Sequence, residues 1–150
     1  MSKLVVVLWL VMRLLALSDY PHFFDGSEYV HLSNLSYKEA LIQSHTSVHP
    51  ISLYLWQTAQ RIIPGATTWE VSMVSTVFGF FGLILLMWLV GQTGVKSHRW
   101  LVGLVYTLLP LSWLIQTNVG TETVTHFLMG LGIVCWYLGL KRNRRTWLLM

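Results

Sequence analysis

Residues Ala66–Val90 read ATTWEVSMVSTVFGFFGLILLMWLV. After Glu70 no charged side chain occurs through Val90. A helix needs about 17–25 mostly apolar residues to cross the hydrocarbon of a bilayer, and this stretch supplies them. It sets the fold class, and the rest of the chain must be reconciled with it.

The composition agrees. Of 150 residues 54% are hydrophobic and only 11% charged, too few charges for an ordinary soluble surface. Eight Trp and six Met add to a lipid-facing character. The lone Cys135 lies in an apolar run, which excludes a disulfide within the chain and reads as a small apolar residue. The basic run KRNRR at Lys141–Arg145 is short and abuts an apolar segment. It therefore reads as a membrane anchor, with no nucleic-acid partner implied.

Three further apolar segments flank the first. One runs from Leu4 to Leu17 and extends through Tyr20, another from Trp100 to about Gln116, and the last from Thr123 to Leu140. The N-terminal one has a rival reading as a secretory signal, with Lys3 before it and Ala16-Leu17-Ser18 as a cleavage site. Arg13 interrupts its apolar stretch and favours a span. Pro50–Ile63, PISLYLWQTAQRII, is too short to cross and carries Gln57, Gln60 and Arg61. Leu53, Leu55, Trp56 and Ile63 give it an apolar side, as in a helix lying in the membrane interface. The expected architecture is an all-α integral membrane protein with four transmembrane helices. They cover about 4–20, 66–90, 100–117 and 122–140, with short juxtamembrane helices in a large first external loop, 18–66. Pro110 should kink the third span. Gly79, Gly82, Gly130 and Gly132 are candidate helix contacts.

Basic residues orient the spans. Lys3, the KSHR turn at Lys96–Arg99 and Lys141–Arg145 share the cytoplasmic side in this arrangement. All six carboxylates, Asp19, Asp25, Glu28, Glu39, Glu70 and Glu122, then fall on the outer side. In a prokaryote that makes a multi-pass plasma-membrane protein whose chemistry is external. In a eukaryote Asn34-Leu35-Ser36 would be a glycosylation acceptor.

Most of these acids have a structural explanation. DGSE (Asp25–Glu28), SYKE (Ser36–Glu39) and TTWE (Thr67–Glu70) have the spacing of a helix capping box, and Thr121-Glu122 opens the last span. Asp25 and Glu122 stand apart. Asp25 follows Phe23-Phe24 and precedes Tyr29, an apolar setting that raises a carboxylate's pKa. Glu122 stands at the mouth of a span without an acid or amide three residues on. Both meet one membrane face from distant parts of the chain, as a single pocket requires.

The ordered pattern carries a resemblance. A short first span leads to the acidic DGSEY motif (Asp25–Tyr29), a His49-Pro50 step, an interfacial helix and a span. A basic turn, a span containing Pro110 and an outer turn with Glu122 follow. This resembles the N-terminal part of C-type-fold membrane glycosyltransferases, and is most similar to the protein O-mannosyltransferase and aminoarabinose transferase branch. Two departures mark it. The family's adjacent Asp-Glu pair is here Asp25 and Glu28, and its His-Pro-Pro is here His49-Pro50-Ile51.

The resemblance implies transfer of a sugar from a polyprenyl-phosphate carrier to an acceptor hydroxyl on a protein, lipid or glycan, with inversion. It assigns Asp25 as catalytic base, Glu28 as the second candidate and Glu122 as the further acid. Arg13, His49 and Arg61 become groups for the donor, the two arginines meeting the departing phosphate. As residues alone, Arg13 and Arg61 read as snorkelling cations. The resemblance fixes no cofactor, and it admits a divalent metal at Asp25, Glu28 or His49, as some relatives bind one near the acidic loop. The spacings His45/His49 and Glu28/His31 suit ligands on a helix but fall short of a defined metal site. Because TWLLM (Thr146–Met150) reads as the start of another span, the expectation is a truncated domain. The alternative from a different class is a non-catalytic membrane protein that serves as an assembly or docking partner, its acids acting as caps.

Overall fold

The computed structural model describes residues 2–17, 24–43, 50–63, 68–93, 95–117 and 122–142. Among them the chain is helical without strands. In chain order the helices are α1 (Ser2–Leu15), α2 (Phe24–Ser33), α3 (Tyr37–Gln43), α4 (Pro50–Ile62) and α5 (Thr68–Gly91). A 3₁₀ turn at Lys96–His98 follows, then α6 (Arg99–Leu108), α7 (Pro110–Gln116) and α8 (Glu122–Arg142).

Among the described residues two helices are long and apolar enough to cross a membrane, over Ser72–Gly91 of α5 and Glu122–Lys141 of α8. Only 28% and 22% of those stretches are buried by the rest of the chain, unlike the core helix of a soluble protein. The other two expected spans differ from the sequence reading. α1 ends at Leu15, so its 14 residues stop short of Tyr20. The third segment is two helices, not one kinked helix. Pro110 has no N–H and disfavours a helical Leu109. Leu109 is accordingly extended, at φ −64° and ψ 119°, and Pro110 opens α7.

Side-chain contacts fix the directions of the helices. A methyl group placed on Gly103 of α6 would lie 2.8 Å from Met87 Sδ and 3.2 Å from Val5 Cγ1. Further along, Trp9 packs on Phe80 with ring centroids 5.7 Å apart. Hence α1 and α6–α7 run antiparallel to α5. Phe127 meets Phe78 at 5.4 Å and Phe81 at 6.1 Å, and Gly130 faces Leu85, so α8 runs parallel to α5. Lys3 and Arg99 line one cleft at the Gly91 end of the bundle, and Lys141 closes α8 at that same end. Glu122 begins α8 at the opposite end. Gly79, Gly82 and Gly130 do stand at helix contacts, whereas Gly132 meets nothing within 4 Å.

Helix α4 packs on the N-terminal half of α5, and α2 and α3 pack on α4. Tyr29 and Leu32 of α2, Ala40 of α3 and Leu53 and Trp56 of α4 form a buried cluster that includes contact with Val74. Tyr29 stacks on Trp56 at 4.9 Å. Burial of each large side chain contributes about 1.5–3 kcal/mol where water is the alternative. Gln57 Nε2 donates to Leu35 O at 2.9 Å, satisfying a carbonyl beyond the end of α2. Leu53 and Trp56 thus lie on the buried side of α4, while Ile51, Tyr54 and Ile62 remain exposed.

The Ser36–Glu39 spacing produces a reciprocal capping box. Ser36 donates through its N–H and its hydroxyl to Glu39 Oε2, and Glu39 N–H donates back to Ser36 Oγ. These bonds hold the Glu39 carboxyl below its ordinary pKa, the Ser36 hydroxyl being the larger cause. A lowered carboxylate pKa adds stability above the unfolded value, and that stability is lost as pH falls through the folded one. A carboxyl titration by NMR is expected to place the Glu39 midpoint below the ordinary Glu range. Ser36→Ala is expected to raise it toward that range while the residue-36 N–H still donates, and an unchanged midpoint in the variant would exclude the Ser36 hydroxyl as the larger cause.

Candidate functional site in a buried polar layer

The site starts from Arg13, a cation in the apolar N-terminal helix. It does not snorkel. Its relative exposure is 0%, and it points into the bundle. Nε donates to Gln116 Oε1 at 2.8 Å and Nη2 to Thr107 O at 3.0 Å. Its guanidinium lies 5.5 Å from the centroid of the Trp9 ring, a cation–π distance. Nη1 is buried without a partner among the described residues. Among the described residues these partners are neutral, so the cation rests on amide and carbonyl dipoles and an aromatic face.

The break at Pro110 provides one of those dipoles. The last carbonyls of a helix have no intrahelical partner, and Thr107 lies in the last turn of α6. Its freed oxygen is the one that receives Arg13. The end of α7 is treated likewise: Thr76 Oγ1 of α5 donates to Gln116 O at 2.7 Å, and Thr123 Oγ1 of α8 to Ile115 O at 2.8 Å. In lipid such groups must be satisfied by protein. Side chains from α1, α5 and α8 therefore close the carbonyls that the broken segment opens.

Gln116 is the hub. Its Oε1 accepts from Arg13 and from Trp9 Nε1 at 3.2 Å, and its Nε2 donates to Ser112 Oγ at 2.8 Å. Gly79 makes room for it, since a β-carbon there would lie 2.7 Å from Gln116 Cγ and 3.2 Å from Trp9 Cζ2. Beside the hub a cleft of about 200 Å³ is lined by Tyr106, Ser112, Gln116, Thr123 and His126. Tyr106 hydroxyl donates to Gly79 O at 3.4 Å.

Around this layer the sequence-derived candidates fall as follows. Glu122 is exposed in the first turn of α8. Glu28 is half-buried on α2, and Arg61 is exposed at the end of α4. Asp25 belongs to the first turn of α2, but its side chain lies outside the described residues, as do His49 and Asp19. Among the described residues no three His, Cys, Asp or Glu side chains gather as metal ligands would. Three contacts on α5 draw the candidate elements together. Val74 touches the α2–α4 cluster, Thr76 bonds the Arg13 hub through Gln116, and Phe78 packs on Phe127 just beyond Glu122. Sequence reasoning missed Gln116, Thr107 and Thr76. The signal was present: an arginine in an apolar helix demands polar partners, and a proline in a span opens carbonyls.

Comparison with family models, curated proteins and solved structures finds no match for this chain.

Gln116→Leu leaves Arg13 Nε and Trp9 Nε1 buried and unpaired, and is expected to cost about 3 kcal/mol. Arg13→Met removes the donor, and the double variant is expected to cost less than the sum of the two by more than about 1 kcal/mol. Reversible denaturation in detergent micelles measures all three. Strict additivity would mean that the hub is not an energetic unit.

Proposed function

We propose that this chain is a four-crossing membrane unit of a polyprenyl-phosphate-dependent glycosyltransferase, with its acidic end outside and Lys3, Arg99 and Lys141 inside. In this reading α1 and the stacked pair α6–α7 cross the bilayer beside α5 and α8. Support for four crossings comes from the alternating helix directions and from the hydrogen-bonded closure of the Pro110 break. The single observation that supports the functional reading is the convergence on residues 74–78 of α5: α4, against which the helix holding Asp25 packs, the Arg13 hub and Phe127 of α8 all meet it there.

The chemistry follows from those groups. A carboxylate within about 2.6–3.2 Å of an acceptor hydroxyl takes its proton as the oxygen attacks the anomeric carbon. The bond from that carbon to the phosphate oxygen breaks on the opposite face, and the electron pair leaves with the lipid phosphate, inverting the centre. Asp25 is the proposed base. Glu122 and Glu28 orient the sugar hydroxyls. Arg61, which is exposed, and His49 meet the phosphate. Arg13 is sealed from solvent and acts by its charge from within the bundle rather than by contact.

One observation favours a second reading. A fully buried Arg13, held by Gln116 and Thr107, is also what a purely structural cation looks like, and it suits a non-catalytic assembly partner.

The two readings separate in one assay. Reconstituted chain, with any membrane partner that co-purifies, is supplied with a polyprenyl-phosphate sugar. Asp25→Asn is expected to reduce transfer by at least about 100-fold with the helical content unchanged. Undiminished transfer removes Asp25 from the mechanism. Partner capture with no transfer by the wild type supports the assembly reading.

A further inference from the structure

At the end of the bundle opposite the carboxylates, α1, α5 and α6 enclose a cleft of about 460 Å³. Its walls are apolar, with Val7, Ile84 and Trp88 exposed along them. Its mouth carries Ser2, Lys3 and Arg99, and no acidic residue lines it. Lys3 and Arg99 are both exposed. The Arg99 stem lies across the end of α5, where a β-carbon on Gly91 would be 3.9 Å from Arg99 Cδ.

Two helices also begin here. α1 starts at Ser2 and α6 at Arg99, and the N-terminus of a helix favours negative charge. His98 provides no side-chain cap for α6. Two cations and two positive helix ends thus converge above a greasy slot that opens sideways between helices. That combination selects a molecule with an anionic head and a hydrocarbon tail. Basic pockets between spans at a cytoplasmic face have this preference for anionic lipid head groups.

We infer that this cleft is a binding site for an anionic phospholipid, with the phosphate between Lys3 and Arg99 and one acyl chain along Val7, Ile84 and Trp88. The inference rests on the bilayer reading proposed above, but not on sugar transfer. The site lies at the inner membrane face and is separate from the polar layer around Arg13. Its occupant ties α1 to α5 and α6 at the end where the hydrogen-bonded hub does not reach.

The experiment uses the full chain, delipidated in detergent and transferred to nanodiscs containing phosphatidylcholine and phosphatidylglycerol. Native mass spectrometry then reads the retained lipid. Phosphatidylglycerol is expected to be retained in preference, and the preference to fall about fivefold for each basic residue removed in Lys3→Gln and Arg99→Gln. Lys141→Gln, which alters a cation outside the cleft, is expected to leave it unchanged. Equal retention of the two lipids by the wild type overturns the site. A loss in Lys141→Gln as large as in the cleft variants also overturns it, because it reveals diffuse surface attraction. Inorganic phosphate should not strip the retained lipid; if it does, the apolar slot is not part of the site. A chain that fails to enter nanodiscs sinks the bilayer reading and this site with it. A chain that enters without lipid preference sinks the site alone.

Discussion

The structure depends on closing the carbonyls left open where α6 stops at the Pro110 break and where α7 ends. A proline in an apolar segment breaks the hydrogen-bond ladder, and the last carbonyls of any helix lack an intrahelical partner. Here the closure comes from three other helices. Arg13 of α1 takes Thr107 O, Thr76 of α5 takes Gln116 O, and Thr123 of α8 takes Ile115 O. Each bond ties a different helix to the broken segment.

That constraint explains the small residues nearby. Lipid tails are as apolar as leucine, so greasy surface alone gives helices in a bilayer little reason to associate. Close approach and buried hydrogen bonds supply the reason instead. Gly79 brings α5 against Gln116, and Gly103 brings α6 against Met87 and Val5. The outer helices follow a different physics. Tyr29, Leu32, Leu53 and Trp56 hide from water around Val74, and there the hydrophobic effect holds α2, α3 and α4 to the bundle. One helix, α5, serves both regimes along its length.

An arginine buried among neutral groups is costly to desolvate, by several kcal/mol. The charge-assisted bonds from its Nε and Nη2 offset part of that cost. In the bilayer reading proposed above such a residue is a mark of function by default, and its hub meets the stretch of α5 that receives α4 and Phe127 of α8. This juxtaposition links the most unusual physical feature of the fold to the end of the bundle where Glu122 opens α8. The basic cleft at the other end shows the opposite polarity, with exposed cations over an apolar slot.

Several features were legible in the residues themselves. The apolar run after Glu70 gave α5 within two residues at its start, because a long uncharged stretch has few other fates. Ser36 and Glu39 announced the start of α3, since a capping box is a local exchange of hydrogen bonds. Pro50–Ile63 was recognisable as a short amphipathic helix from its length and its interleaved polar residues. The break at Leu109 was visible only as a kink, because the severity of a proline's effect depends on what its neighbours can satisfy. The role of Arg13 was hidden: whether a cation snorkels or turns inward depends on partners, Thr107 and Gln116, that lie 94 and 103 residues away along the chain. Sequence by itself determined the all-helical class and the two long apolar helices, which follow from local composition and periodicity. Only the tertiary structure decided that Gln116 is a hub and that Gly79 yields space to it. It alone set Lys3 beside Arg99. These are meetings between remote residues, and short-range pattern does not encode them.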